Sequence, residues 1–440
     1  MSASTLTAAS LRKPIIGWAF YDWANSAFAT TVMVAFFPVF FKQYWSADVS
    51  VQESTFWLGI TNGAASFLLA IMAPLLGTIG DHGGARLRFL LVFTILGVLA
   101  TGALSLVGHG AWPWAALLFA LASIGFWGGI IFYDSLLIDV APRERMDAVS
   151  GLGYACGYLG GGALLVINVW MTLDPATFGL QDATAAVKAS FVSVALWWAL
   201  FSIPTFLWVK ERASIRGAVP QLFSVSLARE SFSELARTFR EIRRYRGVWL
   251  FLLSYWLYID GVNTIQKMAV DYGMSLGLTT SRLIQAILLV QFIGFPASLL
   301  FGWLGQRISP LVGIFICIGV YTLVTIYATQ LTTDIEFFIM AIAIGCVQGG
   351  IQALSRSYYG RLIPPERSGE FYGFYNMMGK FAAVLGPLLV GTTALLTNSS
   401  RLAILSIVIL FVAGAALLRY STRQVTVEGE GGERAGTSAH

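Results

Sequence analysis

The sequence contains few charged residues. Asp, Glu, Lys and Arg make up 12% of its 440 residues, whereas apolar residues make up 57%, and its mean hydropathy is +0.72. A soluble domain carries about twice that share of charge. Three cysteines and three histidines, without metal-ligand spacing, exclude a disulfide framework and a cluster of metal ligands.

Enzyme and nucleotide-binding motifs are also missing. The sequence holds neither G-x-S-x-G nor H-E-x-x-H, the signatures of common hydrolase sites. Residues 373–380 come near a phosphate-binding loop, but the spacing is one residue too long and Phe381 replaces Ser or Thr. We therefore expect no enzyme and no cofactor, and any transport has to be driven by a gradient. The N-terminus lacks a short apolar segment with a small-residue cleavage site, so we expect the first helix to be retained.

Long apolar runs fill most of the chain. A membrane-spanning helix needs about 20 predominantly apolar residues, and twelve runs approach or exceed that length. The predicted spans 1 to 12 lie near residues 15–41, 56–80, 88–109, 112–139, 147–171, 188–209, 247–273, 282–305, 310–329, 335–363, 369–396 and 401–419. The sequence thus predicts an all-α integral membrane protein.

The positive charges predict the orientation of these spans. Successive connections between spans alternate between the two sides of the membrane. Of the 28 Lys and Arg residues, 21 lie in segments on one side, four lie on the other side and three lie within spans. Because Lys and Arg concentrate in cytoplasmic loops, we expect both termini in the cytoplasm, in a plasma (inner) membrane. The pI near 9.1 then reflects orientation, and no nucleic acid is expected as a partner.

Two further segments lie outside the spans. Residues 210–246 carry nine Lys and Arg against four Asp and Glu, with amphipathic spacing. We expect a linker helix lying on the inner leaflet and attracted by anionic lipid, with docking of a partner protein as the alternative. Residues 421–440 are rich in Gly, Glu, Ser and Thr and are predicted to be a disordered tail.

The chain contains an internal repeat. A-P-R-E-R at 141–145 matches I-P-P-E-R at 363–367 at an offset of 222 residues. The pattern W-x-[FY]-x-D-x-x-N-[ST] occurs twice, beginning at Trp18 and at Trp256. Spans 1 to 6 (1–209) and 7 to 12 (247–420) are therefore predicted to form two parallel six-helix bundles.

This organisation resembles the major facilitator superfamily. The stretch G-x-x-G-D-H-x-G-x-R at 77–86 is similar to the superfamily's loop motif, with His82 where Arg is usual. Gln306 stands where the second copy of this loop would carry Asp, which leaves that loop without a carboxylate to latch the halves.

A narrower resemblance is to the family of bacterial and fungal transporters typified by the vacuolar effluxer of the autophagy system. It extends from about residue 15 to 420, and four stretches carry it: 21–28, 133–162, 260–272 and 348–387. The resemblance implies a twelve-helix secondary carrier. Amino-acid efflux is the best-known activity among the fungal members.

Polar residues within the spans are candidates for substrate or proton binding. A carboxylate at the depth of Asp22 costs at least about 2.5 kcal/mol, so it should face a water-filled cavity or a partner. The candidates are Asp22 and Asn25 in span 1, Asp260, Asn263, Thr264 and Lys267 in span 7, Gln348 and Gln352 in span 10, and Asn376 and Lys380 in span 11.

We expect different roles for the two repeated carboxylates. Asp260 is the preferred proton-coupling residue, and Asp22 the preferred site for a substrate ammonium. Lys380 could anchor a substrate carboxylate, act as a counter-ion or change its charge during transport. Alternatively, both carboxylates neutralise Lys380 and hold the halves together, and Lys267 pairs with Asp271 as an anchor.

Four further residues are predicted to gate the path. Asp81 should accept hydrogen bonds at the start of span 11, where the helix dipole favours an anion, with Arg86 in the same loop motif. Arg356 stands at the repeat position of Asp134, and we expect an ion pair between helices rather than a substrate contact. The glycines at positions 153, 157 and 161 predict close helix packing.

The sequence therefore predicts a monomeric, proton-linked or facilitative carrier of small polar solutes, amino acids or their relatives, that works by alternating access. One alternative is a drug or lipid exporter, which the aromatic content favours. Another is a non-transporting membrane sensor, which needs no proton-responsive carboxylate. Substrate, direction and coupling ion do not follow from the sequence.

Overall fold

A computed structural model describes residues 8–81, 84–211, 240, 243, 245–275, 279–382 and 385–437. Within these ranges, twelve helices are long and apolar enough to cross a membrane. The prediction of an all-α, multi-pass membrane protein is confirmed. The predicted spans 1 to 12 each correspond to one of these helices.

The first bundle contains spans 1 to 6. Span 1 comprises an α-helix Ala8–Ala27, a π-helix Phe28–Phe36, an α-helical turn Phe37–Phe40 and a second π-helix Phe41–Trp45. Spans 2 to 6 are Val51–Asp81, Arg86–Ala103, Trp112–Ser135, Met146–Leu173 and Ala183–Trp208. Short elements join them: Leu104–Leu106, Leu137–Val140, Arg143–Arg145 and Pro175–Phe178.

The second bundle contains spans 7 to 12. Spans 7 to 10 are Arg246–Ser275, Thr280–Arg307, Pro310–Ala328 and Asp334–Leu362, followed by the 3₁₀ turn Pro365–Arg367. Span 11 consists of Ser368–Phe381 and Leu385–Thr397, and span 12 of Ser400–Leu405 and Val408–Thr437.

Span 1 contains a π-helical stretch that its apolar pattern did not predict. The Thr30 hydroxyl donates to the Ser26 carbonyl of its own helix at 3.0 Å and to the Gly161 carbonyl of span 5 at 3.2 Å. Hydroxyl groups that bond the preceding turn perturb the regular ladder of backbone hydrogen bonds. The π-helix begins two residues before Thr30, at Phe28.

Span 11 is interrupted, whereas the sequence led us to expect one helix near 369–396. Its inner half ends at Phe381 and its outer half begins at Leu385. Pro387 explains the position of the break, because in a continuous helix its ring would clash with the carbonyl of residue 383 and no N–H would be available to that carbonyl. Proline is tolerated in the first turn of a helix, where Pro387 now lies.

The glycine run of span 5 packs against span 1, as predicted. A Cβ at Gly157 would lie 2.7 Å from the Ser26 Oγ, and one at Gly153 would lie 2.8 Å from the Trp18 ring. These glycines therefore set the distance between span 5 and span 1, the helix that carries Asp22.

The two bundles meet where spans 2, 4, 5, 8, 10 and 11 reach the side on which span 6 ends and span 7 begins, called here the linker side. A Cβ at Gly77 of span 2 would overlap the carbonyl oxygen of Gly369 at the start of span 11. Residues 368–375 of span 11 are buried, whereas residues 376–381 are partly exposed. The bundles are therefore closed at the linker side, and from the partial exposure of residues 376–381 we infer a gap between them that opens toward the opposite, far side.

Several sequence predictions fall outside the described residues. They are the linker helix, of which residues 212–239, 241–242 and 244 are not described, and the part of the loop motif that contains His82. The backbone of Lys267 and Asp271 belongs to span 7, but their side chains are not described. The predicted disorder of residues 421–440 differs from the structure, in which the last helix continues to Thr437, since extending an existing helix adds one hydrogen bond per residue.

The orientation in the membrane stays a prediction, and single cysteines test it. In a variant without the three native cysteines, Glu144→Cys on the linker side should resist an impermeant thiol reagent in intact cells. Thr177→Cys on the far side should react, because it lies in the exposed turn Pro175–Phe178. Labelling of Glu144→Cys alone would reverse the assigned orientation.

Candidate transport site and gates

Arg356 of span 10 is the central side chain of the interface between the bundles. It is 2% exposed. Its Nη1 donates to the Asp134 Oδ1 at 3.0 Å, while its Nε and Nη2 donate to the Oγ and the carbonyl oxygen of Ser150, each at 3.0 Å. The structure thus brings together the predicted pair Arg356–Asp134, and Ser150, which the sequence did not indicate, completes its hydrogen bonding.

Three aromatic rings surround the same guanidinium group. Its carbon lies 4.8 Å from the ring centre of Trp18, 5.3 Å from that of Tyr133 and 4.4 Å from that of Tyr154. Cation–π attraction extends to about 6 Å from the ring centre, so all three rings contribute. We call Trp18, Tyr133 and Tyr154 the aromatic cage.

Asp22 lies next to the aromatic cage and is 7% exposed. The Tyr133 hydroxyl donates to its Oδ2 at 3.2 Å, and the Ser26 hydroxyl donates to its Oδ1 at 3.3 Å. Asn25 points elsewhere: it is fully buried beside the Tyr21 hydroxyl inside the first bundle. The structure therefore separates Asn25 from Asp22, which the sequence had placed together.

Asp260 performs a different task from its repeat partner Asp22. Its Oδ2 accepts the Leu385 N–H and its Oδ1 accepts the Gly386 N–H, both at 2.9 Å. These are first-turn donors of the outer half of span 11, which have no partner within their own helix. The Asp260 carboxylate of span 7 is therefore the cap of that half-helix, placed at its positive end.

Two neighbours of Asp260 fix the same break. Asn263 donates to the Ala382 carbonyl at 2.7 Å, where the inner half-helix ends, and Thr264 donates to the Asp260 Oδ1 at 3.3 Å. A Cβ at Gly386 would overlap the Thr264 hydroxyl, so only glycine fits here. The motif D-x-x-N-T of span 7 thus holds both ends of the interrupted helix.

The remaining predicted binding residues lie on the partly exposed faces of spans 10 and 11. Lys380 belongs to the last turn before the break, and its ammonium group lies over the Trp127 ring of span 4. Asn376 donates to the Asp134 Oδ2 at 3.1 Å. Gln348 and Gln352 are partly exposed.

Asp81 occupies the predicted position at the start of span 11. Its Oδ1 accepts the Gly369 N–H at 2.9 Å, and its Oδ2 accepts the Glu370 N–H at 2.8 Å. Arg86 reinforces the contact, donating to the Ser368 Oγ at 2.5 Å and pairing with Asp139 at 2.7 Å. One carboxylate and one arginine of the first bundle therefore hold the first turn of a helix of the second.

A third contact between the bundles was not predicted. Asp147, at the start of span 5, accepts a hydrogen bond from Ser357 at 2.5 Å and pairs with Arg361, both in span 10. Position 147 is the repeat partner of Gly369. Gln306 provides no carboxylate at the second copy of the loop motif, and Asp147 at the start of span 5 provides one instead. The repeat offset, which matches Asp147 with Gly369, could have predicted this contact.

Gly77 provides a test of closure at the linker side. Gly77→Ala should force span 2 away from Gly369, because overpacking costs about 1–3 kcal/mol, and about 1.4 kcal/mol is a tenfold change in an equilibrium. We expect linker-open states to gain about 5- to 150-fold over closed ones, measured by distances between spin labels. Gly63→Ala in the same helix has open space around it and should change nothing; equal distributions in both variants would contradict the closed contact.

Comparison with known proteins agrees with this architecture. The model of a family described as "Vacuole effluxer Atg22 like" matches residues 10–144 and 138–426. The chain belongs to this family. A relative from Bacillus subtilis, the uncharacterized MFS-type transporter YxiO, is 38% identical over 93% of this chain and 95% of its own. Autophagy-related protein 22 of Coccidioides immitis is 22% identical over 86% of this chain and 81% of its own.

Solved structures show the fold. The human organic anion transporter MFSD10 aligns with a TM-score of 0.69 at 13% identity, covering 93% of this chain and 99% of its own. The proton:xylose symporter XylE aligns with a TM-score of 0.66 at 14% identity, covering 95% and 96%. The Atg22-like chain therefore has the major facilitator fold and is a membrane transporter, as its relatives are.

Proposed function

We propose that this Atg22-like transporter is a proton-coupled exporter of small zwitterionic solutes, amino acids or related metabolites, that works by alternating access. The observation that carries the proposal is a pair of opposite charges between the bundles: the Asp22 carboxylate of span 1, and the Lys380 ammonium, which span 11 of the second bundle extends over the Trp127 ring of the first.

Asp22 is suited to an ammonium group. The two hydrogen bonds that it accepts come from the hydroxyl groups of Tyr133 and Ser26, at 3.2 and 3.3 Å. Hydroxyl groups rotate readily and can give way to a cationic donor, whose hydrogen bond to a carboxylate is about twice as strong.

Lys380 is suited to a carboxylate group. It is partly exposed in the stretch of span 11 that faces the gap, and it belongs to the bundle opposite Asp22. A zwitterion bridging Asp22 and Lys380 would be bound by both bundles at once, which couples binding to their relative movement.

Alternating access follows from the contacts at the linker side. In the closed arrangement, Arg356 pairs with Asp134 across the interface, and Asp81 accepts the first N–H groups of span 11. All these contacts join one bundle to the other. A rocking movement that opens the linker side breaks them together, while the bundles themselves stay intact.

Proton coupling would arise from competition at Asp22. A proton and a substrate ammonium both neutralise this carboxylate, so they cannot occupy it together. A proton entering from the far side would release the solute there and return with the carrier to the linker side. Competition for one site is the logic of exchange, and it favours export of the solute in exchange for the proton.

The test is uptake into proteoliposomes from a mixed amino-acid pool, with and without a pH gradient. We expect accumulation that collapses when the gradient is removed, and loss of it in Lys380→Gln. Lys188→Gln is the matched control, because Lys188 also lies over an aromatic ring, 5.0 Å from the centre of Tyr44, but outside the gap. Accumulation of lipophilic drugs or lipids instead, or no flux at all, would overturn the proposal in favour of an exporter of such compounds or a sensor.

A further inference from the structure

The aromatic cage belongs to one bundle, and the cation inside it belongs to the other. Trp18, Tyr133 and Tyr154 lie in spans 1, 4 and 5, and so do the polar partners Asp134 and Ser150. Arg356 is the guest from span 10. When the linker side opens, Arg356 therefore has to leave a site whose walls stay behind.

The walls do not depend on the guest. Trp18 and Tyr133 are stacked with their planes 10° apart, and the Trp18 Nε1 donates to the Tyr133 carbonyl at 2.8 Å. Gly153 lets both side chains pack closely against span 5. Because these contacts are internal to the first bundle, the rings keep their places after Arg356 withdraws.

We propose that, in the linker-open state, this cage binds the cationic group of the transported solute, an organic ammonium or guanidinium ion. Aromatic faces around a carboxylate are the arrangement that recognises methylated ammonium and guanidinium groups. The proposal rests on the proposed function, whose ammonium subsite it extends from Asp22 to the cage and to Asp134.

Withdrawal of Arg356 leaves the cage and Asp134 without a cation. Asp134 then loses its hydrogen bond from Arg356 and, since Asn376 also belongs to the second bundle, the one from that amide. In the open state water replaces these partners, and a cationic donor makes a stronger hydrogen bond to a carboxylate than a neutral one does. A solute cation entering from the linker side restores the missing charge and occupies the space that the guanidinium group has left.

Arg356 then acts as an internal competitor of the solute. The cage cannot hold both cations, so closure of the linker side, which returns Arg356, would expel the solute cation toward Asp22 and the far side. This mutual exclusion gives the solute a direction of movement, from the linker side to the far side. An ordinary structural ion pair would need Asp134 alone and would give the three rings no role in selectivity.

A binding experiment on the purified carrier tests the cage without requiring transport. Guanidinium chloride at low millimolar concentration and tetramethylammonium chloride serve as probes, with NaCl at equal ionic strength as the reference. We expect both probes to raise the Tm of Arg356→Ala, and this rise to disappear when Tyr154→Leu is added but to survive Tyr154→Phe. Arg361→Ala, which also removes an arginine of span 10 that pairs across the interface, should show no rise. Equal rises in Arg361→Ala, or none in Arg356→Ala, would overturn the proposal.

Wild-type proteoliposomes provide the second arm and cover the case in which Arg356→Ala does not fold. Tetramethylammonium on the linker side should inhibit solute flux competitively, with a Ki at least about tenfold higher in Tyr154→Leu than in Tyr154→Phe. An equal Ki in Tyr154→Leu and Tyr154→Phe would contradict binding by the cage, even if zwitterion transport is found. Probe binding by the cage in a carrier that transports no zwitterion would leave the cage standing and overturn the proposed function alone.

Discussion

Arg356→Ala is expected to shift the carrier at least about a hundredfold toward linker-open states and to abolish gradient-driven transport. The substitution removes three hydrogen bonds that cross the interface and leaves the Asp134 carboxylate in a buried site without its cation. Breaking a buried pair in this way costs about 3–5 kcal/mol, and each 1.4 kcal/mol is about a factor of ten. The cost falls on the closed state, because opening hydrates Asp134.

Distances between spin labels across the linker side measure this shift. Arg282→Ala is the matched control: Arg282 pairs with Asp334 at 3.9 Å on the far side, and both side chains are 53% exposed. An exposed pair contributes about 0–1 kcal/mol, so this variant should keep the wild-type distribution. A closed population in Arg356→Ala equal to that of the wild type would show that the pair does not hold the linker side shut.

Asp260→Ala and Asp260→Asn are expected to impair solute exchange and gradient-driven accumulation together, and to lower the Tm. Alanine leaves two N–H groups of the outer half-helix unsatisfied, at about 1–3 kcal/mol for each buried donor. Asparagine offers one acceptor and turns an amide donor toward the other N–H. Both therefore loosen the break in span 11, which directly follows the last turn of its inner half, where Lys380 lies.

This expectation differs from the one that the sequence suggested for Asp260. As a proton-coupling residue, Asp260 would lose accumulation in Asp260→Asn while exchange continued. Thr333→Ala removes another helix cap, at the exposed start of span 10, and should cost about 0.5–2 kcal/mol without slowing exchange. Exchange at the wild-type rate in Asp260→Asn would return the coupling role to this residue and contradict the capping account.

The sequence predicted most of the fold because the membrane imposes a simple rule. Every span has to be apolar for about 20 residues and has to satisfy its backbone hydrogen bonds within the protein, so hydropathy alone located all twelve. Contacts at helix ends were also predictable: Asp81 was expected at the start of span 11 from the helix dipole, and Arg356 opposite Asp134 from the repeat offset.

Features that depend on how helices rotate against each other were not predictable. The repeated motif suggested that Asp260 binds a proton and Asp22 a substrate ammonium, but Pro387 interrupts span 11, whereas its counterpart, span 5, is continuous. Asp260 therefore meets free N–H groups and Asp22 meets hydroxyl groups. The aromatic cage was missed for a related reason, since Tyr154 and Ser150 resemble ordinary packing residues until their faces are known.

A reversible cross-link between the bundles tests most directly whether the linker side opens during transport. Asp147 and Ser357 face each other across the interface with their side chains in hydrogen-bond contact at 2.5 Å. In a carrier without native cysteines, Asp147→Cys and Ser357→Cys joined by a short thiol cross-linker should stop solute flux in proteoliposomes, and reduction should restore it; each single variant should be insensitive to the reagent. Flux that continues through the cross-linked carrier would show that the linker side stays closed during transport and would contradict alternating access as described here.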